Sequence, residues 1–257
     1  MILNKVQIAA NELLSSLGWS KPGDLSLYEI AFASNAYVKE SDLEGSDGRI
    51  LINGDNAIIT IDSKVGFEPR KKFILAHEIG HLTMHKGISK LFSDTDRTLN
   101  EWYSKGKHEL EANQFASELL MPSDLYELRV KSNGMSLDLI RDTADYFGTS
   151  QTATLLKYKN LGDFPISVIY LDKGIVKWKA ESSDFPLKFL RNGSKVPDGS
   201  AAGDFFSGQG LEDCPVLVDA LDWFPEDFGI EKHLDTQLFE HNFRIGSYGL
   251  LCCLWTQ

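Results

Sequence analysis

Cysteine is scarce in this chain, long apolar runs are missing, and positive charge is outnumbered; each shortage removes a class of protein. Only three cysteines occur in 257 residues, two of them adjacent as Cys252 and Cys253 in the run LLCCLW. They supply no disulfide framework, which points to a reducing, cytoplasmic setting. No histidine or second cysteine stands at ligand spacing from them, so all three are expected to be buried packing residues. No stretch approaches the roughly eighteen apolar residues of a membrane span, so no membrane partner is expected. The opening MILNKVQIAANELLSSLGW does not read as a leader, because Asn4, Lys5, Gln7, Asn11 and Glu12 interrupt it. Its apolar positions, Ile2, Leu3, Val6, Ala9, Ala10, Leu13, Leu14 and Leu17, instead mark one face of an amphipathic helix.

Lysine and arginine number 26 against 37 acidic residues, a net charge of −11. From residue 161 onward 15 acidic residues face 8 basic ones, a balance of −7. A surface that acidic repels phosphate backbones. It reads first as a solvated face that maintains solubility, and second as a dock for a basic protein. Apolar content of 42% and charged content of 25% are those of an ordinary globular protein, and the length allows one large or two modest domains.

Against this plain background stands His-Glu-Ile-Gly-His at 77–81. On a helix, His77 and His81 project from one face and can share a zinc ion, with Glu78 beside them as the base that activates water. The context is helical. Pro69 after Glu68 suits a first turn, and Lys86-Gly87 suits a C-terminal stop. Phe73, Ile74, His77, His81 and Met84 recur at steps of three and four, so the histidines lie on a stripe that buries.

A catalytic zinc takes three protein ligands and keeps a position for water, so a third is needed. A metzincin would place glycine and histidine three and six residues after His81, where this chain has Met84 and Gly87. His85 lies two turns from His77 on nearly the same face and cannot easily curl round to the same ion. The segment HELEANQFASELLMP, from His108 to Pro122, predicts a second helix with Glu109, Glu111 and His108 as candidates. Glu109 and Asn113 share a face, so one can bind metal while the other orients a ligand from behind. Glu111 points about 200° away from Glu109, which makes it the alternative ligand and not a fourth one.

The pairing of RKKFILAHEIGH with ELEANQFASELLMP resembles the ImmA/IrrE family of bacterial zinc metallopeptidases over about residues 25–130. The resemblance implies the ligand order His77, His81, Glu109, the last placed by aligning the shared LLMP, with one zinc ion per chain. It further implies limited cleavage of a helix-turn-helix repressor in a stress or mobile-element response. The contrasting expectation is a non-proteolytic regulatory or toxin-antitoxin binding protein with a silent zincin site. Tyr103, His108 and Tyr126 are candidates for assisting the oxyanion.

The fold expected is α+β: a zincin-like core at 1–130 with a small sheet, a helical hairpin resembling a helix-turn-helix at 131–163, and a mixed α+β sensor or docking domain at 164–257. Within the core, RILINGDNAIITID at 49–62 reads as a β-hairpin turning at Asn53-Gly54, and an extended substrate is expected to pair with its edge strand. Residues 88–106 lack any period and read as a loop or lid. Ser136 and Ser150 are candidate caps for two helices joined at Gly148. Their charges nearly cancel, with Lys131, Arg141, Lys157 and Lys159 against Asp138, Asp142 and Asp145, so a hairpin packed on the core is expected in preference to a DNA reader. Strands are expected at 166–171, 175–178, 216–218 and 248–255, with a loop over 192–213.

Overall fold

The computed structural model describes residues 4–87, 91–94, 106–246 and 249–256. It is a mixed α+β protein whose backbone contacts divide it into two units, Met1–Tyr126 with Asp142–Ser150, and Glu127–Arg141 with Gln151–Gln257.

In the first unit, helix α1 (Lys5–Ser16) starts where the Asn4 side chain accepts from the Val6 and Gln7 amides and the Gln7 side chain accepts from the Asn4 amide. Helix α2 (Leu27–Ala33) starts with the same device, built from Ser26 and Glu29. Strands β1 (Ala36–Ser41), β2 (Gly48–Asn53) and β3 (Asn56–Asp62) follow, then α3 (Glu68–His85), β4 (Leu91–Asp94) and α4 (Lys107–Leu120). The hairpin β2–β3 closes through Gly54-Asp55, where Gly54 supplies a φ of +61°. Along it the side chains alternate: Ile50, Ile52, Ile59 and Ile61 are buried in one core with Ile74, Leu75 and Ile79 of α3, while Leu51 and Ile58 are exposed.

The sheet order is β1-β3-β2-β4, with β1 parallel to β3 and β4 antiparallel to β2. This corrects two expectations. Residues 88–106 are not unstructured throughout, because Leu91–Asp94 pairs with Gly48–Leu51; apart from these four and Gly106, the expected lid and Tyr103 lie outside the described residues. Both hairpin strands are also interior, so neither offers the free edge expected for a substrate. Among the described residues the edges belong to β1 and β4.

Helix α3 begins with Pro69 in its first turn and ends at His85. Arg70 is paired with Asp47, which fixes the start of the helix beside β2. The other side of α3 packs on α4. Their contact is close at Gly80, where an added Cβ would lie 3.1 Å from the Phe115 ring and 3.3 Å from the Ala112 Cα. Phe115 is fully buried there, a contribution of about 1.5–3 kcal/mol.

Helix α5 (Ser123–Val130) follows α4, and the expected pair of helices is present as α6 (Leu137–Phe147) and α7 (Gln151–Leu161), joined at Gly148 with φ +63°. The second unit is built on an antiparallel sheet of order β6-β5-β9-β8-β7, from β5 (Ile166–Asp172), β6 (Ile175–Glu181), β7 (Val216–Asp219), β8 (Gln237–Ile245) and β9 (Gly249–Trp255). Every residue of β9 is buried, and Trp223, Phe224 and Phe185 cover the core it shares. The stretch 192–213 is not all loop, since α8 (Ala201–Phe206) lies in it, capped by the Ser200 hydroxyl on the Gly203 amide at 3.0 Å. Cys252 and Cys253 are buried as expected, whereas Cys214 is exposed.

Candidate metal centre

Helices α3 and α4 bring three nitrogen and oxygen donors to one point. His77 Nε2 and His81 Nε2 are 3.0 Å apart, and Glu109 places Oε2 3.3 Å from the first and Oε1 3.5 Å from the second. The periodicity of α3 accounts for the histidine pair, and Gly80 accounts for the closeness of α4 that lets Glu109 reach them. Zinc bonded tetrahedrally at 2.0–2.1 Å sets its ligand atoms about 3.3–3.4 Å apart. The His77–His81 separation and that from His77 to Glu109 Oε2 are close to those edges, the other Glu109 oxygen faces His81, and the donor set is one zinc favours, so the residues fit the ion.

Both histidines are buried, at 0% and 1% exposed. Burial pulls the His81 pKa down to about 4, against the opposing pull of Glu109. Burial acts on Glu109 in the other direction, but the hydrogen bonds with His77 and His81 outweigh it and hold the carboxyl well below its usual range. A neutral His81 imidazole beside an ionised Glu109 carboxylate suits a divalent cation.

Asn113 stands behind His77, its Oδ1 2.9 Å from His77 Nδ1. An amide oxygen only accepts, so His77 carries its proton on Nδ1 and turns the Nε2 lone pair to the centre. Glu78 is fully buried on α3 and is flanked by β2: a Cβ at Gly48 would stand 2.9 Å from its Oε1 and would overlap Ile74. The absence of a side chain at 48 makes the room that Glu78 occupies.

The structure does not bring Glu111 into this cluster. It faces His85 at 3.0 Å and Lys5 at 2.5 Å. His108 is partly exposed with its ring 4.7 Å from that of His85, and Tyr126 is fully buried and stacked on Phe147. Sequence reasoning overlooked Gly48 and Gly80, which carry no chemistry, and set His85 aside after testing it only as a ligand. Its spacing of four from His81 was the available signal. A groove of about 480 Å3 lined by Trp19, Tyr28, Lys71, Lys72, Leu120 and Phe147 contains none of these donors.

Residues 33–158 match the peptidase M78 family, described as the IrrE N-terminal-like domain, and this span contains β2, α3 and α4 entire. Over these residues the chain carries an IrrE N-terminal-like domain. Uncharacterized immunity region protein 2 of Bacillus phage phi105 is 36% identical over 83 residues, covering 32% of this chain. The match takes in 49% of that relative, so the chain spans about half its length. A solved structure described as a transcriptional regulator from Mycobacterium tuberculosis superposes on 99% of this chain and 76% of its own, with a TM-score of 0.56 at 12% identity. At that identity the likeness is one of fold. Both helices of the centre lie in this one matched segment, and no described helix is long and apolar enough to cross a membrane.

Proposed function

We propose that this ImmA/IrrE protein is a zinc-dependent endopeptidase that makes a limited, site-specific cut in a protein, a helix-turn-helix repressor. The observation that carries this reading is the spacing of the His77, His81 and Glu109 donors, with the buried carboxylate of Glu78 next to the first histidine. A fourth protein donor is not needed, since a catalytic site uses three and a structural site commonly four.

Zinc held by these three residues supplies Lewis acidity and makes water easier to deprotonate near neutral pH. The protein's part is then defined. His77 and His81 present lone pairs from Nε2, and Asn113 prevents the His77 ring from turning. Glu109 brings one negative charge to balance the cation. Glu78 takes a proton from the attacking water and passes it to the leaving amide nitrogen as the C–N bond breaks, leaving a carboxyl and an amine terminus.

A protein substrate is preferred to DNA because three of the four cations of the helical pair are paired or buried. Lys131 bonds Glu127 at 2.5 Å, Arg141 bonds Asp138 at 2.8 Å, and Lys157 is 7% exposed. Among the described residues of this pair, Lys159 is left to face phosphates, which is less than the basic stripe a DNA reader offers. The phage relative is named for an immunity region, which fits control of a repressor. Residues 164–257, the acidic end of the sequence, serve in this reading as a sensor or docking module.

The test is to incubate the zinc-loaded chain with the helix-turn-helix repressor encoded beside it and to locate new termini by mass spectrometry. One cut, lost in Glu78→Gln while zinc remains bound, is expected. An intact repressor held in a stable complex would instead establish a non-proteolytic regulator.

A further inference from the structure

The histidine stripe does not end at the metal centre. His81 Nδ1 lies 3.1 Å from His85 Nδ1, His85 Nε2 lies 3.0 Å from Glu111 Oε2, and Glu111 Oε1 lies 2.5 Å from Lys5 Nζ. His81 and His85 are each 1% exposed, whereas the Lys5 side chain is 64% exposed, so the line runs from the interior to solvent. We propose that Glu111 and His85 form a relay that fixes the tautomer of His81 and aims its Nε2 lone pair at the metal. The proposal rests on the reading of His77, His81 and Glu109 as a metal centre.

The direction of each hydrogen bond follows from which atoms can donate. Two ring nitrogens 3.1 Å apart share one proton, so one donates and the other accepts. If His81 keeps Nε2 for a metal, its proton is on Nδ1 and His85 Nδ1 must accept. His85 then carries its own proton on Nε2, where Glu111, an ionised carboxylate that only accepts, is waiting. The opposite assignment puts a proton on His81 Nε2 and sets His85 Nε2 against Glu111 Oε2 as two acceptors at 3.0 Å. It is disfavoured at both ends. Glu111 Oε1 is ion-paired with the Lys5 ammonium at 2.5 Å, so the relay ends on a charged carboxylate. Behind His77 stands the neutral amide of Asn113, whereas the line behind His81 ends in a carboxylate, which polarises the His81 ring.

The same geometry resolves a second arrangement of donors. His85, His108 and Glu111 also present ligand atoms within 4.8 Å of one another, which has the form of another metal site. In the relay His85 Nε2 carries a proton and Glu111 Oε1 is held by an ammonium, so this cluster takes no ion while the first is filled. One proton between His81 and His85 excludes the second metal.

The test uses the full chain, with zinc content by metal analysis, affinity by chelator competition and the visible spectrum of the cobalt(II) form. His85→Phe keeps the ring shape without an acceptor, and His85→Asn restores an acceptor near the Nδ1 position. The relay predicts about 10–100-fold weaker zinc binding and shifted cobalt bands in His85→Phe, with most of the affinity recovered in His85→Asn. Glu111→Gln, which keeps an acceptor and loses the charge, should fall between, and its behaviour decides the matter if His85→Phe does not fold. His108→Ala should retain one zinc per chain at wild-type affinity. Wild-type affinity in both His85→Phe and Glu111→Gln, or a second zinc that disappears in His108→Ala, would overturn the relay. No zinc uptake by the wild type overturns the centre and the relay together, while one tightly held zinc without proteolysis overturns the peptidase reading alone.

Discussion

Replacing Gly80 by alanine tests whether the distance between α3 and α4 builds the metal centre. The added methyl would sit 3.1 Å and 3.2 Å from the Cδ1 and Cβ of Phe115 and 3.3 Å from the Ala112 Cα. Carbon atoms prefer about 3.5–4.0 Å, so α4 must retreat by roughly 0.5 Å or Phe115 must leave its rotamer. Phe115 is fully buried and the third atom is backbone, so neither yields freely. Overpacking of this kind costs about 1–3 kcal/mol, while alanine in a helix interior returns about 0.5–1 kcal/mol over glycine. The balance is a loss of about 1 kcal/mol, seen as a fall of about 2–4 °C in the Tm of the metal-free protein. Glu109 is one turn from Ala112 and would move with it, lengthening the 3.3 Å and 3.5 Å separations to His77 and His81. Zinc affinity should then drop about tenfold, which is about 1.4 kcal/mol. Thermal unfolding with and without zinc, together with chelator competition, reads both effects. A variant as stable as the wild type without metal, and equally tight for zinc, would show that Gly80 does not set the spacing.

Two further substitutions probe other parts of the molecule. Gly48→Ala puts a methyl onto Ile74 and 2.9 Å from Glu78 Oε1, so the proposed proteolysis should fall at least about tenfold with one zinc still bound; unchanged cleavage would mean that Glu78 is not held where β2 leaves room for it. In the second unit, Glu240 accepts from the Ala202 amide at 2.7 Å, Trp223 Nε1 at 2.9 Å and Asn242 Nδ2 at 2.7 Å, yet burial outweighs these bonds and raises its pKa above 4.5. A raised carboxyl pKa means that the native state binds more protons than the unfolded one, so its contribution is full at low pH and is lost as pH rises from about 4.5 through the raised value. Melting curves across that range should therefore show Glu240→Gln losing less stability with rising pH than the wild type, and parallel curves for the two proteins would refute the assignment.

The sequence is legible where chemistry and periodicity coincide. The positions of α3 and α4 follow from Pro69, the stripe through His77 and His81, and the stop before Pro122, all local signals. Strand β8 gave none, because Glu240, His241 and Asn242 are polar residues buried in consecutive positions of a strand. A strand recognised by apolar alternation cannot be seen when its interior is hydrogen-bonded instead. The hairpin itself was visible, but its lack of a free edge was not. That depends on β1 and β4, a parallel partner and a four-residue partner distant in sequence, and pairing between strands leaves little trace in either alone.

The donors His77, His81 and Glu109, with Asn113, His85 and Glu111 behind them, all come from α3 and α4, so their mutual geometry depends on one interface. That interface is set by a residue with no side chain, and the position of Glu78 by another on the opposite side of α3. Substituting a ligand therefore removes one donor, whereas enlarging Gly80 displaces Glu109, Asn113 and Glu111 together relative to their three histidine partners. Loss of zinc affinity in Gly80→Ala should accordingly not be recovered by restoring any single hydrogen bond, which separates a fault in helix spacing from a fault in the relay.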